Sequence, residues 1–141
     1  MTYSRWLRVA LGYLIIISLQ IGVWALLAPR SFYDRFPDFG KGWASVDGPY
    51  NEHLIRDVGA LNLALAVVLV FAAVKLTRQL VILAALATLA WGVPHLIYHL
   101  FNTEGLDSSE VVGTIVSLGL FAALPLALIV NSGKAQQDVG I

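Results

Sequence analysis

The chain of 141 residues contains no cysteine, and only 13% of its residues are charged. The absence of cysteine excludes disulfides, thiolate metal sites, iron–sulfur clusters and cysteine nucleophiles. The charged fraction is well below the roughly 25% of soluble globular proteins, whereas 58% of the residues are hydrophobic. The formal net charge is zero, and scattered basic residues form no stripe along which a phosphate backbone would bind. We therefore expect a membrane protein with no nucleic-acid partner.

Four apolar runs stand out, each close to the roughly 20 residues that a membrane-spanning helix needs. They predict an all-α, polytopic membrane protein in which an antiparallel bundle of four transmembrane helices forms one domain over residues 1–141. Arg5 and Arg8 precede the first run, as in a signal peptide, but the run exceeds the roughly 15 apolar residues typical of one. The predicted spans cover residues 9–28, 52–75, 79–101 and 110–131.

The distribution of lysine and arginine predicts the orientation, because these residues are retained on the cytoplasmic side. Arg5, Arg8, Lys75, Arg78 and Lys134 fall on the side that both termini share. We expect a multi-pass protein of the cell membrane with both termini in the cytoplasm. The opposite side would be acidic, although it also carries Arg30, Arg35 and Lys41. Its acidic residues are Asp34, Asp38, Asp47, Glu52, Asp57, Glu104, Asp107 and Glu110.

The long connection between the first two spans, residues 30–51, is unusually rich in aromatic residues. One interpretation is an aromatic belt that lies at the membrane interface. The other is a roof that folds over the outer mouth of the bundle. The aromatic residues are Phe32, Tyr33, Phe36, Phe39, Trp43 and Tyr50.

The ionisable residues of the middle two spans predict a polar cluster near the outer leaflet. A connection of a few residues makes these spans antiparallel neighbours, so the start of the second and the end of the third lie at one depth. His53 and Asp57 are spaced i, i+4, as are His95 and His99, so each pair shares a helix face. If both faces point inward, the four side chains converge. We predict a ligand-binding cavity lined by His53, Arg56, Asp57, His95, Tyr98 and His99.

Three imidazoles and a carboxylate are common ligands of zinc and non-haem iron. A divalent metal held by His53, Asp57, His95 and His99 is therefore one hypothesis for this cluster. Haem is an alternative and would need His53 to oppose His95 or His99 across the ring. A hydrogen-bonded network that joins two helices is the structural alternative.

Charges within a span are rarely left unpaired. We expect Asp57 to accept a hydrogen bond from His95 or Tyr98. For Arg56 the candidate partners are Glu52, Glu110 or a lipid phosphate, with extension of the side chain to the interface as the alternative.

Asn62 lies deeper in the second span and needs a hydrogen-bond partner within the bundle. Contacts between polar side chains of different helices commonly serve this purpose in membranes. The candidate partners are Thr88, Thr114 and Ser117.

The run from Arg56 to Ala66, RDVGALNLALA, lies between the aromatic loop and the Pro94-His95 segment. In this arrangement the chain resembles small four-helix bacterial membrane proteins of the broad DoxX-like kind. The resemblance implies the fold and a location in the bacterial inner membrane, and it transfers no catalytic residue. Members of that group include accessory subunits of quinone-linked oxidation.

The sequence leaves three functional hypotheses open. The first is an accessory protein whose outer cavity binds a ligand or ion. The second is a membrane enzyme that acts on a lipid, quinone or sterol-like substrate through a metal or an acid and base. The third is a structural subunit of a larger complex. The expected partners are membrane lipids, a hydrophobic small molecule, and further copies or other subunits.

Overall fold

A computed structural model describes residues 3–37 and 42–132, and the regular structure in this part of the chain is helical, without a β-strand. Four helices are long and apolar enough to cross a membrane, which confirms the prediction of an all-α protein with four membrane-spanning segments. A single 3-10 turn, Ala44–Val46, lies before the second long helix. The helices are α1 (Tyr3–Leu27), α2 (Pro29–Arg35), α3 (Glu52–Lys75), α4 (Arg78–Phe101) and α5 (Ser108–Asn131).

The predicted spans fall on α1, α3, α4 and α5, and α2 was not predicted as a helix. Some residues used in the sequence predictions lie outside the described part of the chain. These are Asp38, Phe39, Lys41 and Lys134.

Side-chain caps fix where the long helices begin. The Asn51 side chain accepts a hydrogen bond from the backbone N–H of Leu54 at the start of α3. The Asp107 carboxylate accepts from the N–H of Ser109 and of Glu110, and the Glu110 carboxylate accepts from the Asp107 N–H. This reciprocal capping satisfies donors that the first helical turn otherwise leaves unpaired.

The helices α1 and α3 are packed backbone to backbone at two glycines. A Cβ atom placed on Gly59 would lie 2.7 Å from the backbone nitrogen of Leu26, and one on Gly22 would lie 2.7 Å from Cδ2 of Leu63. At Gly59 the nearest atoms belong to the backbone, so only a residue without a side chain permits this approach, as at other close helix crossings in membranes. At Gly22 the two nearest atoms belong to the Leu63 side chain. The apolar core beside this crossing contains the fully buried Leu7, Leu11, Leu14, Leu69, Val81 and Leu128.

The aromatic segment after α1 packs on itself and on the ends of α1 and α3. The rings of Phe32 and Phe36 are stacked with centroids 4.6 Å apart, and the Trp24 ring meets Phe32 edge-on at 5.8 Å. Phe32 is buried with Ala25 of α1 and Ile55 of α3. These contacts hold α2 against the ends of both helices.

The same segment also reaches the other pair of long helices. A Cβ atom on Gly113 of α5 would lie 3.3 Å from the ring of Trp43, and one on Gly105 would lie 3.3 Å from Val46. The Tyr33 hydroxyl donates a hydrogen bond to the Gly48 carbonyl, and this bond holds the segment before α3 against α2. The segment therefore connects α1 and α3 with α5.

Candidate functional site

A cavity of about 210 Å³ is lined by α1, α3, α4, α5 and the aromatic segment. Most of its wall is apolar or aromatic. The polar side chains of the wall are Tyr13, Gln20, Asn62, His95, Thr114 and Ser117, and the apolar residues include Ile17, Phe36, Trp43, Trp91, Leu118 and Phe121.

Asn62 lines this cavity and carries a buried acceptor. Its side-chain amide nitrogen donates to the backbone carbonyl of Val58 at 2.9 Å. That hydrogen bond fixes the orientation of the side-chain amide, so Oδ1 is the remaining polar atom. The residue is 1% exposed, and Oδ1 has no hydrogen-bond partner within residues 3–37 and 42–132.

Thr114 of α5 is the second buried polar residue of the wall. It is 3% exposed, and its hydroxyl oxygen has no hydrogen-bond partner in the part of the chain that the structure describes. An unpaired buried polar atom costs roughly 1–3 kcal/mol. Two residues of the cavity lining therefore each carry a buried oxygen that makes no hydrogen bond among the described residues.

Two of the three expected partners of Asn62 bond within their own helices instead, and the hydroxyl of the third, Thr114, makes no hydrogen bond among the described residues. The Thr88 hydroxyl donates to the Ala84 carbonyl at 2.8 Å, and the Ser117 hydroxyl donates to the Thr114 carbonyl at 3.0 Å. The prediction that these hydroxyls bridge to Asn62 was wrong, because a threonine or serine in a helix can satisfy itself on the carbonyl one turn back.

His95 lines the cavity beside Trp91, and the centroids of the two rings are 4.2 Å apart in an edge-on arrangement. One turn further on, the His99 ring lies 4.8 Å from that of His95, as the i, i+4 spacing predicts. His99 is 7% exposed, and its Nδ1 atom has no hydrogen-bond partner among the described residues. The two histidines therefore occupy one face of α4.

Asp47 lies beside this end of α4, although its sequence position indicated only that it belongs to the outer loop. Partial burial raises the pKa of its carboxyl group, and the nearby His99 ring and a hydrogen bond from the Tyr98 hydroxyl oppose that rise. Nothing in the spacing of loop residues could have identified this neighbour, since the contact depends on how residues 42–51 fold back.

His53 and Asp57 form a pair on the exposed side of α3. His53 Nδ1 lies 3.6 Å from Asp57 Oδ2, and the two side chains are 88% and 56% exposed. At 3.6 residues per turn, these residues lie about 180° and 140° around the helix from Asn62, which faces the interior. The spacing correctly predicted that they share a face, and the structure places that face outside the cavity. The Asp57 carboxylate pairs with His53 of its own helix. Within the described part of the chain it makes no hydrogen bond with His95 or Tyr98, the partners predicted from the sequence.

Arg56 pairs with Glu52, one of the partners expected from the sequence, with Nε 2.9 Å from Oε1. Its guanidinium also donates to the backbone carbonyl of Leu26 at the end of α1. A cation is favourable there because the carbonyls of the last helical turn carry partial negative charge. Arg56 therefore joins α3 to the end of α1.

The four proposed metal ligands are not assembled as one group. Within residues 3–37 and 42–132, no three His, Cys, Asp or Glu side chains are close enough to hold a metal ion. The physical reason is that His53 and Asp57 occupy the opposite face of α3 from the one that packs inward. A metal site at His53, Asp57, His95 and His99 remains a prediction without support from this geometry. The 88% exposure of His53 gives no support to a haem ligand there either.

Gln20 is a cavity residue that sequence reasoning missed. It is the one side-chain amide in α1, within a run from residue 9 to 27 that carries no charge. That isolated polarity was the available signal. Of the six residues predicted to bind a ligand, His95 lines the cavity, whereas Tyr98 lines a separate groove between α3 and α4 that shares Trp91 and His95 with it.

These observations define the class as an integral membrane protein with four helices able to span the bilayer. The chain belongs to the DUF4345 family, a domain of unknown function whose profile matches residues 6–104. The DoxX-like resemblance is not shown by this match and stays a resemblance. Comparison with curated proteins and with solved structures gives no match.

Proposed function

We propose that this protein binds a small, mostly apolar ring compound that carries a hydroxyl group, and that the cavity between the four long helices is the binding site. The observation that carries the proposal is that two residues of a mostly apolar cavity lining, Asn62 and Thr114, each carry a buried oxygen with no hydrogen-bond partner among the described residues. The asparagine oxygen can only accept a hydrogen bond, whereas the threonine hydroxyl can donate or accept. A hydroxyl group complements both.

The size and lining of the cavity support a ring as the apolar part of the ligand. Engineered protein cavities of about 150 Å³ bind benzene, so a volume of about 210 Å³ accommodates a ring with substituents. The rings of Trp43, Trp91 and Phe121 in the wall favour edge-on or offset contacts with another aromatic system. The ring of His95 supplies one further polar group.

The arrangement of the chain around this site is part of the proposal. We propose one membrane domain with an antiparallel bundle and both termini in the cytoplasm. The close approaches of Gly22 to Leu63 and of Gly59 to Leu26 run in opposite chain directions, which supports the antiparallel order of α1 and α3. Because Phe36 and Trp43 line the cavity, the aromatic segment acts as its roof on the outer side.

Binding of 2-naphthol to the protein in nanodiscs tests the function, with naphthalene as the ligand that lacks the hydroxyl group and empty nanodiscs as the correction for partitioning. We expect 2-naphthol to bind more tightly than naphthalene. Thr114→Val should weaken 2-naphthol binding about 2- to 12-fold, which corresponds to a net hydrogen bond of about 0.5–1.5 kcal/mol. Naphthalene binding should change little.

The same substitution should raise the thermal stability of the protein without ligand, because it removes a buried hydroxyl that has no partner. Ser18→Ala is the matched control. Ser18 is fully buried in α1 with an unpaired hydroxyl, but it does not line the cavity. The Ser18→Ala variant should therefore gain thermal stability and keep the wild-type affinity for 2-naphthol. Equal binding of 2-naphthol and naphthalene, or equal losses in both variants, would contradict the proposed function.

A further inference from the structure

The cavity wall formed by α1 and α5 contains side chains that are exposed rather than buried. Tyr13 is 39% exposed, and Gln20 of α1 and Ser117 of α5 are also exposed although both line the cavity. A side chain can do both only where the cavity reaches the outer surface of the bundle. The seam between α1 and α5 is therefore open at these residues.

This opening lies within the depth of the membrane. At a rise of 1.5 Å per residue, Gln20 is about 11 Å from the end of α1 at Leu27, and Ser117 is about 14 Å from the start of α5 at Ser108. Under the proposed antiparallel order, those two helix ends lie on the same side of the membrane. Both residues are then at one level, inside a hydrocarbon core about 30 Å thick.

Exposed polar side chains at that depth are unfavourable against lipid tails, and they are normally found facing a cavity or a pathway. The packing of the two helices agrees with an opening. Where α1 crosses α3, glycines bring the backbones together, whereas α1 and α5 contact each other much less. The Gln20 carboxamide thus marks the mouth of a passage from the cavity to the lipid.

We infer that the ligand carries an apolar tail, and that this tail leaves the cavity between α1 and α5 and lies in the bilayer. The inference rests on the proposed function and names the class of ligand: a hydroxylated ring with an alkyl or isoprenoid chain. Asn62 and Thr114 hold the hydroxyl group, the cavity of about 210 Å³ holds the ring, and the seam gives the chain its exit. The ligand reaches the site from the membrane and not from water.

A photoreactive ligand maps the exit on the unmodified protein in nanodiscs. The probe is a phenol with a para-octyl chain that ends in a diazirine, and an octyl diazirine without the phenol records general exposure to lipid. Irradiation is followed by mass spectrometry of the labelled peptides, with and without excess 2-naphthol. Ile16 and Leu120, which are 65% and 50% exposed, lie beside Gln20 and Ser117 on the outer surfaces of α1 and α5.

We expect adducts at Ile16 or Leu120 that excess 2-naphthol displaces. These adducts should be at least about fivefold more abundant than adducts at Leu61, which lines the α3–α4 groove. A fivefold ratio corresponds to a preference of about 1 kcal/mol. Asn62→Leu should remove the displaceable adducts because it removes the acceptor for the hydroxyl group. Ser18→Ala, the matched buried polar change, should keep them.

Displaceable adducts at Leu61 instead would overturn the inference, because the tail would then leave through the α3–α4 groove. A pattern equal to that of the octyl diazirine, or no displaceable adduct while 2-naphthol still binds, would also overturn it, since no defined tail path would exist. Failure of 2-naphthol to bind the wild-type protein at all is a different result, and it rejects the proposed function itself.

Discussion

The backbone contact between α1 and α3 makes Gly59→Ala the substitution with the clearest expected cost. The added Cβ would lie 2.7 Å from the backbone nitrogen of Leu26 and 3.0 Å from the carbonyl oxygen of Gly22, whereas ordinary contacts begin at 3.4 Å. The first distance is short by 3.4 − 2.7 = 0.7 Å. Both atoms belong to the backbone of α1, so no side-chain rotation relieves the clash and the two helices must separate.

Overpacking of this kind costs about 1–3 kcal/mol, and the better helix propensity of alanine returns at most about 1 kcal/mol. We expect a net loss of about 1–2 kcal/mol in the free energy of unfolding. Unfolding by SDS in mixed micelles, followed by far-ultraviolet circular dichroism, measures this loss. The form unfolded by SDS retains part of its helix content, so the unfolding free energy of every variant is measured relative to this same unfolded form.

Gly119→Ala is the matched control, because a Cβ atom there would meet nothing within 4 Å. Only the propensity gain applies, so the control should be unchanged or up to about 1 kcal/mol more stable. Gly22→Ala should fall between them, since two of its three close contacts are side-chain atoms of Leu63. A Gly59→Ala variant as stable as Gly119→Ala would refute backbone contact between α1 and α3.

Two further predictions concern charged groups, one in the first turns of α3 and one in the segment that precedes this helix. Arg56→Gln should lower the free energy of unfolding by about 1 kcal/mol, because it removes a cation from the Leu26 carbonyl and because solvent weakens the interaction of a side chain that is 43% exposed. Glu52→Gln keeps the contact between Arg56 and Leu26, so it should cost less in the same SDS assay. Equal costs of the two substitutions would contradict the capping role of Arg56. The raised pKa of Asp47 means that the folded protein holds this proton more tightly than the unfolded chain does, so its stabilising contribution is present at low pH and is lost as the pH rises above the ordinary value of 3.8. Thermal unfolding between about pH 4 and pH 7 should therefore show the wild type losing stability relative to Asp47→Asn, and a relative gain would contradict partial burial as the dominant cause.

Hydropathy and length predicted the four long apolar helices because a membrane helix must satisfy its own backbone and present apolar side chains along its whole length. Both requirements are local and can be read from composition. The end of α3 at Leu76 and the start of α5 at Asp107 are also set by local hydrogen bonds. Helix ends therefore shifted by only a residue or two, except at the start of α1.

The candidate site was harder to predict because periodicity gives the residues that share a face but not the direction in which the face points. His95 and His99 were correctly paired, and so were His53 and Asp57. The inward face of α3 is the one that carries Gly59 and Asn62, since only there can α1 approach closely. That choice turned His53 and Asp57 outward.

The sequence alone determined that this chain is helical, that four segments can cross a membrane, and which side chains share a helix face, because these properties depend on residues within a few turns of each other. The tertiary structure decided which faces enclose a cavity, that Gln20 and Thr114 line it with Asn62, and that Asp47 comes beside His99. Those relations join residues far apart in the chain, and they follow from the close packing of α1 on α3 and from the folding back of the aromatic segment.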